Sequence, residues 1–382
     1  MQVICYNCFV EKTTDGVCLQ CGYSNIPNIV SYPLALKEGS ILAGQYIVGR
    51  VLGQGGFGIT YLAFDRKLGV KMAIKEFLPE GTAVRTDGIS ALTVYSGTKQ
   101  NNFIYGVERF LEEARVLAKF TGNRNIVSVK SYFNENGTAY FVMEYIEGIS
   151  FKNYIKNNGG HISYEEAKKV LMPVMDALAA VHREGITHRD VTPDNIYISK
   201  DGEIKLLDFG SARYSIGDKS KSLDVVLKAG YAPKEQYRRR GKQGPYTDVY
   251  SLAACFYAAI TGYLPPESLK RIGKDKIVKI SARGIKIPRA LENAIMKGLS
   301  INAANRFQSM EEFKAAVEQN SSKPFLSNFK FFRKRNKRMK RKDKSLLNIN
   351  KSLMLRAGIP LAVIYVAVLS ILVILFINDI RL

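Results

Sequence analysis

Apolar residues occur in this chain as short runs, as helically spaced stripes and as one long unbroken block, and each pattern predicts a different element. Ile59-Thr60-Tyr61-Leu62-Ala63-Phe64 and Met72-Ala73-Ile74-Lys75 read as consecutive strands. Phe141-Val142-Met143-Glu144-Tyr145-Ile146 reads as a buried strand running into a hinge. Residues 82–85 and 91–95 flank a turn at Asp87-Gly88 and read as an inserted hairpin. Phe110, Ala114 and Leu117 mark one face of a helix over 108–117. Ser163 and Glu166 form a capping box that opens a long helix with apolar residues at Val170, Leu171, Val174, Leu178 and Val181, and Pro173 is expected to interrupt and kink it. The block 357–377 holds 21 residues without a charge. A helix of that length is about 31 Å long, the thickness of a bilayer core, so the block reads as a transmembrane anchor.

The chemistry concentrates in His188-Arg189-Asp190-Val191-Thr192-Pro193-Asp194-Asn195, followed thirteen residues later by Asp208-Phe209-Gly210. Phosphoryl transfer from ATP needs a carboxylate to accept a hydroxyl proton and an amide oxygen and second carboxylate to hold Mg²⁺. Upstream, Leu52-Gly53-Gln54-Gly55-Gly56-Phe57-Gly58 has the G-x-G-x-x-G spacing that lets backbone approach phosphate oxygens. Dinucleotide-binding folds share that spacing, but there a helix follows; here strands follow and the second ends in Lys75. Taken in order, these motifs resemble a bacterial protein kinase of the eukaryotic-like Ser/Thr type.

The resemblance covers 46–318 and implies a two-lobed α+β fold. It makes Asp190 the catalytic base, and it gives Mg²⁺ to Asn195 and Asp208. Lys75 would contact the ATP phosphates with Glu113 as its partner. Glu112 is the alternative, a solvated helix-surface acid. Leu52, Gly53, Gly55 and Gly58 would cover the nucleotide. The backbone of Glu144 and Ile146 would bind adenine, with Met143 behind the ring. His182 and His188 are expected to be structural, with His188 bracing the Asp208 segment. Glu235 would pair with Arg306, and Asp248 would bond the catalytic-loop backbone. Arg189 would meet a phosphate on the activation loop, for which Ser211, Ser215, Ser220 and Ser222 are candidates.

Two features depart from the family pattern. The lysine usually two residues after the catalytic Asp is Thr192 here, and Lys228 stands where such kinases place a threonine. An exchange predicts that the Lys228 ammonium fills the vacated space with Thr192 hydrogen-bonded to it; the plainer reading is a solvated loop lysine. The second departure is the hairpin, which is either a docking element or a decoration without its own task.

Cys5-x-x-Cys8 and Cys18-x-x-Cys21 are separated by nine residues, with Gly22 following. Four thiolates at this spacing can enclose Zn²⁺ in a ribbon over 1–26, followed by a linker over 27–45. Disulfides compete, but a kinase works on cytosolic ATP in a reducing compartment; iron is a minor possibility. So short a segment would draw its folding energy from the metal. With few Arg or Lys between the knuckles, it is expected to contact a protein partner. Cys255 lies in an apolar helix and reads as core.

The formal net charge is +22, and much of it lies in the nearly continuous basic run 333–342 within a juxtamembrane segment over 319–356. Beside a membrane span, such a run places the kinase and ribbon in the cytoplasm and attracts anionic lipid. Nucleic acid is therefore not the expected partner. No amino-terminal signal peptide is read, and only 378–382 would emerge as an external tail. The expectation is a single-pass membrane kinase acting on Ser/Thr of proteins. Its rival is an ATP-binding pseudokinase scaffold, supported by Thr192 and opposed by Lys75, Asp190, Asn195 and Asp208.

Overall fold

The computed structural model describes residues 3–12, 16–24, 32–209, 227–238 and 241–319. The apolar block 357–377, the basic run and the four candidate serines lie outside these residues. Among the described residues, no helix is long and apolar enough to cross a membrane.

The described residues open with the two-residue strands β1 (Val3–Ile4) and β2 (Glu11–Lys12), which pair antiparallel on either side of the Cys5–Cys8 knuckle. The small lobe follows: β3 (Ile41–Leu42), β4 (Tyr46–Gly55), β5 (Gly58–Asp65), β6 (Val70–Phe77), the hairpin β7 (Ala83–Arg85) and β8 (Leu92–Val94), α1 (Thr98–Ala118), β9 (Val129–Glu135) and β10 (Thr138–Glu144). One antiparallel sheet runs in the order β3-β4-β5-β6-β10-β9. Its inner strands β5, β6 and β10 are largely buried, whereas the edge strand β9 alternates buried and more exposed positions, as a half-solvated strand must. The segment over 27–45, read from sequence as linker, is tied to the sheet where it is described: Ile41–Leu42 form the edge strand, Leu36 and Leu42 are buried, and the Leu36 amide donates to Tyr61 Oη at 3.0 Å.

Aromatic packing fixes α1 on the sheet. Phe77 meets Phe103 and Phe110 at 5.3 and 5.5 Å between ring centres, and Phe110 meets Phe141 at 4.9 Å. Gly106 lies where α1 crosses Phe77, and a Cβ there would run into that ring. The helix thus begins ten residues before the stretch legible from its apolar face.

The large lobe contains β11 (Gly148–Ser150), α2 (Phe151–Asn157), α3 (Tyr164–Arg183), β12 (Ile196–Ser199), β13 (Ile204–Leu206), α4 (Pro245–Thr261), α5 (Arg289–Gly298) and α6 (Met310–Glu318). The Ser163–Glu166 capping box forms in both directions and starts α3, which runs unbroken through Pro173. The helix α4 is buried along nearly its whole length, Cys255 included, and anchors the lobe's core. The loop over 188–195 leads directly into β12, the central strand of the three-stranded sheet β11-β12-β13.

The cysteine segment sits on the small lobe. Phe9 stacks on Phe64 of β5 at 5.3 Å, and the Arg50 amide of β4 donates to the Tyr6 carbonyl at 3.0 Å. Gly49 has no room for a Cβ beneath Tyr6 and Phe9, so this contact requires the glycine.

Candidate active site

A cavity of about 320 Å³ lies between the small lobe and the catalytic loop. Leu52 and Gly53 roof it, Lys75 and Asp208 stand at its inner wall, and Met143, Glu144 and Ile146 line its hinge side with Asn195 opposite. Gly55, Gly58 and Glu113 do not line it. Gly53 and Gly55 have open space where a Cβ would stand, whereas a Cβ on Gly58 would run into the Glu76 carbonyl at φ +158. The first two glycines therefore leave room for a ligand, and the third lets the hairpin turn back onto β6.

Lys75 Nζ lies 2.7 Å from Asp208 Oδ1 and 3.7 Å from Glu113 Oε1. Glu113 is buried at the inner face of α1, while Glu112 pairs with Arg109 on the helix surface at 2.7 Å. Helical phase thus separates the two acids as the sequence reading expects. The Glu144 side chain is occupied elsewhere, pairing with Lys205 at 3.0 Å and accepting from the Ser128 amide at 2.8 Å. Its own N–H goes to the Ser128 carbonyl.

The catalytic loop is held from beneath. Buried Asp248 accepts from the amides of His188 and Arg189, both at 2.8 Å, and its Oδ2 lies 2.7 Å from His182 Nε2. These bonds keep Arg189 at φ +69, a conformation that a non-glycine residue adopts only under such restraint. Burial works against the Asp248 anion, but the bond and charge of His182 hold its carboxyl below the ordinary carboxylate range. His188 Nε2 lies 3.0 Å from the Leu207 carbonyl, and its ring packs on Phe209 at 4.5 Å, which braces Asp208. Glu235 and Arg306 form a buried bidentate pair at 2.6 and 3.1 Å.

Asn195 Nδ2 donates to Asp190 Oδ2 at 2.8 Å and to its carbonyl at 2.9 Å. With the amide nitrogen committed to Asp190, Asn195 presents its Oδ1 as the group able to accept a cation. The Leu207 amide donates to the Asn195 carbonyl, tying the two candidate metal ligands Asn195 and Asp208 to one backbone link. Asp190 itself lies beside a second, smaller depression with Thr192 and Lys228. Burial raises its carboxyl above the ordinary range; Lys228 opposes that rise and Asp208 adds to it. Lys228 Nζ donates to Thr192 Oγ1 at 3.0 Å and lies 3.7 Å from Asp194 and 3.9 Å from Asp190.

The stretch of chain that builds this cavity matches a known family. The protein kinase domain model matches residues 46–319. The chain belongs to the protein kinase family. It is 31% identical to a probable serine/threonine-protein kinase of Clostridium perfringens over 295 residues, covering 75% of this chain and 40% of the relative. With serine/threonine-protein kinase PrkC of Bacillus subtilis it shares 28% identity over 292 residues, 73% of this chain and 41% of that one. This kinase chain thus spans about two-fifths of the length of these curated relatives. The solved structure of PpkA-294 in its apo form superposes with a TM-score of 0.66 at 33% identity, covering 75% of this chain and all of that one.

In the cysteine segment on the small lobe, the four cysteine Sγ atoms lie within 4.8 Å of one another. Cys5 and Cys21 are 3.5 Å apart and Cys8 and Cys18 3.6 Å, close to the roughly 3.8 Å edge of a zinc–thiolate tetrahedron with Zn–S bonds of about 2.3 Å. The cluster is compatible with a zinc ribbon. Burial pushes the Cys8 thiol up to about 12. At Cys21 burial is outweighed by hydrogen bonds from the Asn7 side chain and the Tyr23 backbone, which bring it down to about 6.

Sequence reasoning did not single out Asp194 or Arg50, both of which line the kinase cavity. Asp194 was signalled by its place inside the catalytic loop. Arg50 was signalled by its spacing of two from Leu52 on one strand, which puts both side chains on the same side.

Proposed function

We propose that the chain is a membrane-anchored protein kinase that transfers the γ-phosphate of ATP to Ser or Thr hydroxyls of proteins. The observation that carries this reading is the junction of Asp190 and Asn195 by a direct hydrogen bond, with Lys75 and Asp208 paired across the same cavity. Asp190 accepts the proton of the substrate hydroxyl as its oxygen bonds to the γ-phosphorus and the bond to the β-phosphate oxygen breaks, releasing ADP. A raised carboxyl pKa suits a group that must take a proton near neutral pH. Asn195 Oδ1 and the Asp208 carboxylate have the hard oxygen donors that suit Mg²⁺. Mg²⁺, when bound, offsets the charge on the β- and γ-phosphates.

Lys75, held by Glu113, positions the α- and β-phosphates, and Gly53 and Gly55 let backbone close over them while Gly58 fixes the turn. The Glu144 carbonyl and Ile146 amide bind adenine in front of Met143. The Lys228 ammonium, set by Thr192, serves the γ-phosphate. Cys5, Cys8, Cys18 and Cys21 hold a structural Zn²⁺.

The uncharged block 357–377 and the basic run before it support a single cytoplasm-facing anchor with affinity for anionic lipid. The contact of the ribbon with β4 and β5 supports a role for it within this chain, and a protein partner for it rests on the scarcity of Arg and Lys between its knuckles.

The test is phosphate transfer from labelled ATP with Mg²⁺ by the full chain and its Asp190→Asn variant, onto itself and a generic basic protein. Transfer by the wild type alone, into an acid-stable and base-labile product, supports Ser/Thr kinase activity. ATP bound by both with transfer by neither overturns it in favour of a pseudokinase scaffold.

A further inference from the structure

The first knuckle of the cysteine cluster reaches the nucleotide cavity through one side chain. Asn7 stands between the ligand candidates Cys5 and Cys8. Its Oδ1 accepts from Arg50 Nε at 2.6 Å, while its amide hydrogen-bonds the Cys21 sulfur. Arg50 is anchored a second time through its backbone amide on the Tyr6 carbonyl. Its Nη1 also donates to the neighbouring Val51 carbonyl at 3.4 Å, and its side chain lines the cavity beside Leu52 and Gly53, with Tyr197 in the same lining. A free arginine on a strand samples many rotamers, and fixing one costs conformational entropy. Here the cysteine segment has fixed it before any ligand arrives.

The place that Arg50 occupies has a definite chemistry. With adenine at the hinge over 144–146 and phosphates at Lys75 and Asp208, the ribose must lie between them, under Leu52 and Gly53. A guanidinium there offers donors to ribose oxygens and a positive charge to the polyphosphate beyond.

We propose that Arg50 is a nucleotide-positioning residue whose guanidinium is set by Asn7, so that metal occupancy of the four cysteines governs affinity for ATP. The inference rests on the kinase reading of the cavity. Metal at the cysteines fixes the backbone of 5–8, that backbone fixes Asn7, and Asn7 holds Arg50. Losing the metal frees the knuckle, and Arg50 then pays its own ordering cost on each binding event. The cysteine segment thereby acts as a part of the nucleotide site rather than a separate module.

The experiment measures Kd for a non-hydrolysable ATP analogue with Mg²⁺, using full-length wild type and Arg50→Ala, each zinc-loaded and zinc-stripped with metal content assayed. A charge-assisted hydrogen bond lost or left unset corresponds to about a ten-fold change. Zinc-stripping is expected to weaken wild type by about that factor, Arg50→Ala to do the same, and the two together to do no more. The loss should appear in KM for ATP rather than in kcat. Asn7→Ala that retains zinc should match Arg50→Ala. Two results overturn the inference alone: Arg50→Ala binding as tightly as wild type, or zinc-stripping weakening both proteins equally. Absence of binding by zinc-loaded wild type overturns the kinase reading and the inference with it.

Discussion

Lys228 donates to Thr192 at 3.0 Å, joining the segment before helix α4 to the catalytic loop two residues past the base. The ammonium also lies within 4 Å of Asp190 and Asp194. On the proposed reading, this sets the ammonium beside Asp190 and Asp194, where a γ-phosphate would project. Lys228→Ala should lower kcat by about 10²–10³, the usual worth of one donor aimed at transition-state charge. The double exchange Thr192→Lys with Lys228→Thr, which moves the ammonium onto the catalytic loop, should recover most of that loss. Steady-state kinetics on the three proteins decide it. A loss below three-fold in Lys228→Ala would reduce Lys228 to an ordinary loop residue.

The same ammonium sets a pH dependence. Asp190 must be ionised to accept a proton, so activity falls as pH drops through its carboxyl pKa. Burial raises that pKa, and Lys228 opposes the rise. Removing the opposing cation therefore moves the pKa further up. The acidic limb of kcat/KM should lie at higher pH in Lys228→Ala than in wild type, and Lys228→Arg should leave it near the wild-type position. Profiles with coincident acidic limbs would show that Asp190 is not under Lys228 control.

Much of this was legible before any coordinates. Lys75 on its strand, Asp190 with Asn195 five residues on, and the capping box at Ser163 each depend on neighbours close in sequence, and local pattern specifies such pairs. The strand read as ending at Lys75 nevertheless runs on to Phe77. Glu113 was separable from Glu112 because helical phase alone decides which of two adjacent residues faces inward. What escaped were contacts between distant segments. Arg50 meets Asn7 across 43 positions, and Ala43 of the presumed linker donates its amide to Glu135 across 92. The first half of α1 was missed for a related reason. Its sequence Thr98-Lys99-Gln100-Asn101-Asn102 carries no apolar stripe, and its helicity comes from packing Phe103 and Gly106 onto Phe77.

The glycines of the loop should separate function from fold. Gly53→Ala meets open space, so its melting curve should match wild type while KM for ATP rises several-fold as the added methyl holds the roof off the nucleotide. Gly58→Ala puts a Cβ into the Glu76 carbonyl at a φ that only glycine adopts comfortably, so it should destabilise the small lobe by about 1–3 kcal/mol. Thermal melting with and without ATP distinguishes them. Equal stability of the two variants would contradict the assignment of Gly58 to the fold.

The inserted hairpin has a structural task, and it can be tested through a buried charge. Glu76 of β6 is fully buried and accepts from Tyr61 at 2.7 Å and Tyr140 at 2.6 Å. Arg85, at the end of β7, reaches into the lobe to pair with it and also donates to the Leu34 carbonyl. The hairpin thus supplies the cation for a carboxylate in the centre of the sheet, next to the strand residue Lys75. Arg85→Ala leaves that carboxylate without its cation and should destabilise the small lobe by about 3–5 kcal/mol, read as a lower urea midpoint. Replacing both partners, Arg85→Met with Glu76→Gln, removes the charge together with its counter-charge and should cost much less. If Arg85→Ala alone proved neutral, the hairpin would be a decoration after all, and the Glu76 anion would be held by the two tyrosines.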